Sequence, residues 1–175
     1  MVALLLQAGA DKDKANNGGA TPLYVSSHEG HEKVVARLID AGADIDAADK
    51  HGSTLLIIAS QNGHDKVVAR LIDAGADKEK RSHWDTSPMI VACCYGHLEA
   101  AKRLYDAGAD VDVENEKGDS ARKLALADPD SGIAQYFLEA EGRAQALEEL
   151  LAMEDESKSN SESKKAANNL SLIHI

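Results

Sequence analysis

The chain has 175 residues, of which 30 are Asp or Glu and 19 are Lys or Arg, so its formal net charge is −11 at pH 7. An acidic surface repels nucleic-acid backbones and anionic membranes, which excludes both as main ligands and favours basic or apolar protein surfaces. No apolar run approaches the roughly 18 residues that a membrane span requires. The adjacent cysteines, Cys93 and Cys94, suit neither a disulfide framework nor a zinc site, which predicts a reducing intracellular setting, cytoplasmic or nuclear.

A period of 33 residues runs through the chain, because Gly9, Gly42, Gly75 and Gly108 each begin the triplet Gly-Ala-Asp. Residues 34–44 recur letter for letter as residues 67–77. A fixed period of this length predicts one structural unit stacked on copies of itself. The first residues of the chain match the end of a later unit in phase, so they are the tail of a repeat and not a targeting segment.

The copy in residues 16–48 shows the predicted elements of one unit. Residues 17–19, Asn-Gly-Gly, form a turn in which glycine accepts positive φ. Thr21 serves as a helix N-cap and Pro22 fits the first helical position, so a short helix begins there. Gly30 suits the left-handed C-cap that ends this helix near residue 29.

A second helix follows in the same unit. Val34, Val35, Leu38 and Ile39 fall on one helical face, and Gly42 ends the helix. Each unit is therefore a turn and two antiparallel helices, neither of which is long enough to be stable alone in water. The sequence predicts an all-α stack in which neighbouring units supply the missing burial.

The motifs resemble those of the ankyrin repeat family over residues 1 to about 140. Thr21-Pro22-Leu23-Tyr24 is similar to its Thr-Pro-Leu-His box, and the Gly-Ala-Asp triplets match its closing turn. Gly30-His31, Gly63-His64 and Gly96-His97 match its Gly-His step, in which the imidazole bonds to neighbouring backbone. The resemblance implies an all-α ankyrin-like solenoid of L-shaped units. Short β-hairpin fingers project from it, first helices line a concave groove and second helices form the convex back.

The phase of the repeats predicts the domain organisation. The array comprises a half unit (1–15), three full units (16–48, 49–81 and 82–114) and a capping unit (115–140). Leu55 replaces the helix-start proline but Thr54 keeps the cap, and Asp85 replaces a turn glycine and is expected to take left-handed φ. Polar Arg122 and Lys123 replace apolar residues in the last unit, as the end of a stack requires.

The half unit has no first helix, so Leu4 and Leu5 are expected to lack a cover. We therefore expect Met1 to be an internal methionine of a longer protein, or the chain to be a fragment.

Three segments follow the array. Residues 141–153 are predicted to form a short helix, and residues 154–169 have the composition of a disordered polar tail. Residues 170–175, Leu-Ser-Leu-Ile-His-Ile, match one reading frame of a transposon mosaic-end sequencing adapter, CTG TCT CTT ATA CAC ATC. Our hypothesis is that they are an assembly scar with no part in function.

No catalytic or metal constellation emerges from the sequence. His31, His64 and His97 lie one unit apart, and stacked helices are about 10 Å apart, so these side chains do not converge on one ion. Cys93 is expected to pack inside the stack and Cys94 to face the groove. We predict no enzyme activity, no cofactor and no metal.

The only tryptophan, Trp84, falls on the finger of unit 82–114, with Tyr95 and Arg81 nearby. These three residue types dominate the energetics of protein interfaces. The alternative is that Trp84 packs against its own finger or the adjacent unit. The predicted partner-binding residues are Lys50, His51, Ser53, Gln61, Asn62, Arg81, His83, Trp84, Thr86, Cys94 and Tyr95.

The function predicted from these features is non-catalytic protein–protein interaction, by a monomer, through the concave groove and the finger tips. The alternative is a regulatory or targeting ankyrin segment of a larger enzyme or channel.

Overall fold

The computed structural model describes residues 2–145, and its helices confirm the predicted all-α ankyrin-like solenoid. Residues 2–126 contain α1 (Val2–Gln7), α2 (Pro22–His28), α3 (Glu32–Asp40), α4 (Leu55–Gln61), α5 (Asp65–Asp73), α6 (Pro88–Cys94), α7 (Leu98–Asp106) and α8 (Ala121–Leu126). The described residues divide into two units, residues 2–134 and residues 135–145. Residues 132–145 are helical. Most of the predicted 141–153 helix, and both predicted segments after it, lie outside the described residues.

Residues 2–126 alternate two kinds of helix. The inner helices are α2, α4, α6 and α8, and the outer helices are α1, α3, α5 and α7. A hydroxyl caps the start of each inner helix by accepting a hydrogen bond from a backbone N–H three residues on, at 3.1 to 3.2 Å. The caps are Thr21, Thr54, Ser87 and Ser120. The cap at Thr54 is kept although Leu55 replaces the proline, as predicted.

Two of the three Gly-His steps join an inner helix to the next repeat unit through an imidazole hydrogen bond. His64 Nε2 lies 2.9 Å from the carbonyl oxygen of His28, and His97 Nε2 lies 2.9 Å from that of Gln61. Because a carbonyl oxygen only accepts, Nε2 carries the proton in both rings. A Cβ on Gly30, whose φ is +71°, would lie 2.6 Å from the His64 ring. Glycine is therefore required there both for left-handed φ and for this close approach.

The buried core repeats with the period of the sequence. One position on the inner helices and one on the outer helices are filled by side chains no more than 2% exposed. They are Leu23, Leu56 and Met89 on the inner helices, and Leu38, Leu71 and Leu104 on the outer ones. Each of the three full units thus buries the same positions against its neighbours.

Burial is incomplete at the first described helices. Leu4 is 69% exposed, as expected of a half unit without an inner helix, and Val25 on α2 is also exposed. Val91, which follows Val25 by two periods on α6, is buried.

A polar inner helix, α8, follows the third full unit. Arg122, at the position of Met89, is half-buried, and its Nε lies 2.5 Å from Asp112 Oδ1. Lys123 is exposed, and its Nζ lies 2.6 Å from Glu114 Oε1. Both predicted polar side chains therefore pair with acidic residues of the loop that precedes residues 115–119.

The Asp112–Arg122 pair makes the stability of this end dependent on pH. The hydrogen bond from Arg122 holds the pKa of the Asp112 carboxyl below its ordinary value. The stabilisation is therefore present above the ordinary carboxyl pKa, about 4, and is lost as the pH falls through the lowered pKa of the folded state. In the wild type, the free energy of unfolding should fall as the pH is lowered below about 4. We expect this fall to be smaller in Asp112→Asn, as measured by urea titration at several pH values. Asp128→Asn is the control, because the exposed Asp128 side chain has no ion pair within residues 2–145, and an equal effect of both substitutions would contradict this assignment.

Two buried hydroxyls on the inner helices lack a hydrogen-bond partner within the described part of the chain. They are Ser27 Oγ and Ser60 Oγ, and Cys93 occupies the same repeat position on α6. A buried hydroxyl without a partner costs about 1–3 kcal/mol, and a thiol, which is only weakly polar, avoids that cost. We expect Ser27→Ala to raise the free energy of unfolding by about 1 kcal/mol in a urea titration.

The neighbouring Ser26 provides the matched control for this prediction. Ser26 is equally buried, but its Oγ donates a hydrogen bond to the carbonyl oxygen of Pro22. Ser26→Ala should therefore lower the free energy of unfolding. A destabilising effect of Ser27→Ala, similar to that of Ser26→Ala, would show that the hydroxyl of Ser27 has a hydrogen-bond partner.

Candidate partner-binding groove

The loops before the inner helices are hairpin fingers of one design. They span residues 16–20, 49–53, 82–86 and 115–119, the first to fourth fingers, and each is closed by a backbone hydrogen bond from its first residue to its last, at 2.9 to 3.2 Å. In three fingers the first residue, Asn16, Asp49 or Asn115, also accepts two backbone N–H bonds on its Oδ1. The fingers are thus fixed before any ligand binds. One isolated β-bridge, Ala48 to Thr54, flanks the second finger, and residues 2–145 contain no longer strand.

The third finger departs from this design at two positions. Ser82 replaces the Asn or Asp, and its Oγ accepts a hydrogen bond from the backbone N–H of Trp84 at 3.3 Å. Asp85 takes φ of +55°, the left-handed conformation predicted for it. Arg81 steadies this turn, because its NH1 lies 2.8 Å from Asp85 Oδ1 and donates to the carbonyl oxygen of Glu114 at 3.0 Å. Arg81 therefore braces the third finger and the start of the fourth.

Backbone hydrogen bonds set the register between successive fingers. Lys50 donates its N–H to the carbonyl oxygen of Gly18 at 3.0 Å, and His83 donates to that of His51 at 2.9 Å. A Cβ on Gly52 would lie 2.6 Å from the ring of His83, so the fingers are in close contact. The side chains that the tips carry are consequently held at fixed spacing.

A groove of about 410 Å³ opens between the last three fingers and the inner helices. Six of the predicted partner-binding residues line it: Ser53, Gln61, Trp84, Thr86, Cys94 and Tyr95. Ile57, Ile90, Val91 and Leu124 supply its apolar floor. Ser82 of the third finger and Asn115, Lys117 and Asp119 of the fourth finger complete the lining.

Trp84 is held on one side and open on the other. Its ring stacks on that of His51 from the second finger, with centroids 5.0 Å apart and planes inclined by 25°. The residue nevertheless remains 61% exposed and lines the groove. Contact with the adjacent unit therefore orients the indole without burying it.

Tyr95 stands at the C-cap of α6 and is 56% exposed. Its ring lies parallel to that of His97, within 5° and with centroids 6.4 Å apart. Gln61 Nε2 donates to the Tyr95 hydroxyl at 3.5 Å, which joins the ends of two inner helices. Two exposed aromatic rings are thus positioned by contacts within the protein at one groove.

Comparison with known protein families agrees with this architecture. A family model described as "Ankyrin repeats (3 copies)" matches residues 1–82, and one described as "Ankyrin repeat" matches residues 84–116. The chain belongs to the ankyrin repeat family. A search of curated protein sequences finds no significant match to the chain.

The other five predicted residues of the ankyrin array do not line the groove. The Asn62 side chain bonds to the carbonyl oxygen of Ile58 on its own helix, at 2.9 Å. Lys50, His51 and His83 are exposed at finger tips, and Arg81 forms the brace described above.

The predicted set stopped at the third ankyrin unit and so omitted the fourth finger and Leu124. The period of the sequence contained the signal for the fourth-finger residues, because Lys117 and Asp119 follow Trp84 and Thr86 by one 33-residue unit. Leu124 likewise follows Val91 by one unit.

Within residues 2–145, no group of three or more His, Cys, Asp or Glu side chains is arranged to hold a metal ion. In the same part of the chain, no helix is long and apolar enough to cross a membrane.

The two cysteines of the third ankyrin unit occupy different environments. Cys94 is exposed in the groove, whereas Cys93 is buried, as predicted for both, and burial raises the pKa of the Cys93 thiol to about 12. The thiolate is the reactive form of cysteine, so Cys93 is protected both by its protonation and by exclusion of reagents.

We therefore expect a disulfide reagent such as DTNB, at pH 8, to modify one thiol per folded chain and both thiols after unfolding in guanidinium. Cys94→Ser should abolish the reaction of the folded chain, whereas Cys93→Ser should leave it unchanged. Rapid modification of Cys93 in the folded Cys94→Ser variant would show that the stack opens at this unit.

Proposed function

We propose that this ankyrin array is a non-catalytic module that binds a partner protein in the groove between its last three fingers. The observation that carries the proposal is the pair Trp84 and Tyr95, two exposed aromatic residues at the edge of an apolar floor. Aromatic side chains bury a large area at low conformational cost, which is why they dominate interface energetics. Because the fingers and inner helices are already fixed by hydrogen bonds, little ordering cost remains for binding.

The repeat itself supports this assignment. Trp84 shares its repeat position with Gly18, His51 and Lys117. The stack therefore forms with four different residue types at this position, while it keeps buried apolar residues at its core positions. The repeat units assemble without an indole at this position, and the indole of Trp84 is 61% exposed. It therefore has the properties of an anchor for another molecule.

We further propose that the array acts as a monomer inside the cell, in the cytoplasm or nucleus. Its two cysteines are free thiols, which suits a reducing compartment.

The test is to capture partners with the wild type and then to measure binding of each purified partner by calorimetry. Trp84→Ala should weaken binding by about 2 kcal/mol or more, about 30-fold, with unchanged helicity by circular dichroism, because the ring is largely exposed. Val113→Ala is the matched control, since Val113 is an exposed apolar residue that does not line the groove. Undiminished binding by Trp84→Ala would refute the proposal, and a collapse of its thermal stability would assign the indole to packing instead.

A further inference from the structure

Asp119 lines the groove with Trp84, and its carboxylate has no hydrogen-bond or ion-pair partner within residues 2–145. The residue is half-buried, and its backbone is fully engaged. Its N–H donates to Asn115 Oδ1 at 3.0 Å, and its carbonyl oxygen accepts from the N–H of Asn115 at 2.9 Å. The turn therefore fixes the main chain that carries the carboxylate and leaves its charge unused.

Three other carboxylates, in the third finger and in the loop before the fourth finger, are paired with basic side chains. The pairs are Asp85 with Arg81, Glu114 with Lys123 and Asp112 with Arg122, at 2.8, 2.6 and 2.5 Å. Lys117 also lines the groove but forms no ion pair within residues 2–145. Asp119 forms no ion pair within residues 2–145 either, so its negative charge is open to a cation supplied by a ligand.

The fold does not require an acid at this position. Asp119 shares its repeat position with Ala20, Ser53 and Thr86, and all four fingers close with the same backbone hydrogen bond. A methyl group or a hydroxyl therefore serves the finger as well as a carboxylate. The charge of Asp119 is therefore not needed for the stability of the stack.

The surroundings of Asp119 match one kind of side chain. A long aliphatic stem would contact the apolar floor at Ile90 and Leu124, and a terminal cation would pair with the Asp119 carboxylate in the groove that Trp84 also lines. Arginine and lysine combine these properties, and both are attracted to indole faces. The net charge of −11 adds a long-range attraction for a basic segment.

We infer that the groove recognises a partner segment through a basic side chain, arginine or lysine, which pairs with Asp119 and packs beside Trp84. This inference rests on the proposed function of the groove and specifies the chemistry of the partner.

The test uses a random linear-peptide phage library selected on the purified full chain. Peptides bound by the wild type should share an arginine or lysine next to apolar residues. For the tightest peptide, synthesised with a fluorescent label, Asp119→Asn should weaken binding about tenfold in fluorescence anisotropy, because a charge-assisted hydrogen bond is lost. The same substitution should reduce the dependence of binding on salt.

Two variants of the same finger serve as controls. Glu116→Gln removes an exposed acid that does not line the groove, so the affinity should change by less than about twofold. Lys117→Gln removes a like charge from the path of the ligand cation, so binding should be unchanged or tighter. Replacing the peptide's basic residue by norleucine should weaken binding to the wild type but have little further effect on Asp119→Asn.

The outcomes separate this inference from the proposed function. Peptides that require Trp84 but carry no common basic residue, or that bind Asp119→Asn as tightly as the wild type, would overturn the inference and leave the groove assignment intact. Peptides whose binding survives Trp84→Ala, or a selection that enriches no peptide, would count against the groove itself.

Discussion

The contact between consecutive inner helices is the interaction on which the whole array depends. An inner helix such as Leu55–Gln61 has 7 residues, too few to persist alone in water. It persists because Leu56 and its counterparts are covered by the units on either side, and because a hydroxyl cap satisfies its first turn. The bond from His64 to the carbonyl oxygen of His28 fixes the register of that contact. Stability is therefore a property of neighbouring pairs of units, as expected for a repeat protein.

The residues that stabilise the array differ from those that can recognise a partner. Core positions repeat almost unchanged along the chain, whereas the finger tips carry a different residue in each unit. Trp84, Tyr95 and Asp119 stand at positions where other units carry unrelated residue types, and yet all three lie at one groove. Recognition can therefore be concentrated in one region of a scaffold whose units are otherwise nearly equivalent.

The sequence predicted the fold and much of the local geometry because both follow from the period. The inner and outer helices, the cap at Thr54, the left-handed Asp85 and the opposite environments of Cys93 and Cys94 all follow from phase and local chemistry. The contacts made by side chains between units were not predictable in this way. That Arg81 would bond to the carbonyl oxygen of Glu114 depends on the distance between fingers, which the order of residues does not specify. The same holds for the orientation of Trp84, which a ring from another unit decides.

The stacking of His51 on Trp84 has a consequence for how such a surface diversifies. His51 does not line the groove, but its ring contacts the indole and its backbone carbonyl accepts the N–H of His83. The second finger therefore influences both the position and the orientation of the Trp84 ring. A substitution in one unit thereby alters the orientation of a binding residue in the neighbouring unit. The selectivity of the array can drift through mutations at sites that never touch the ligand, while the anchor itself stays the same.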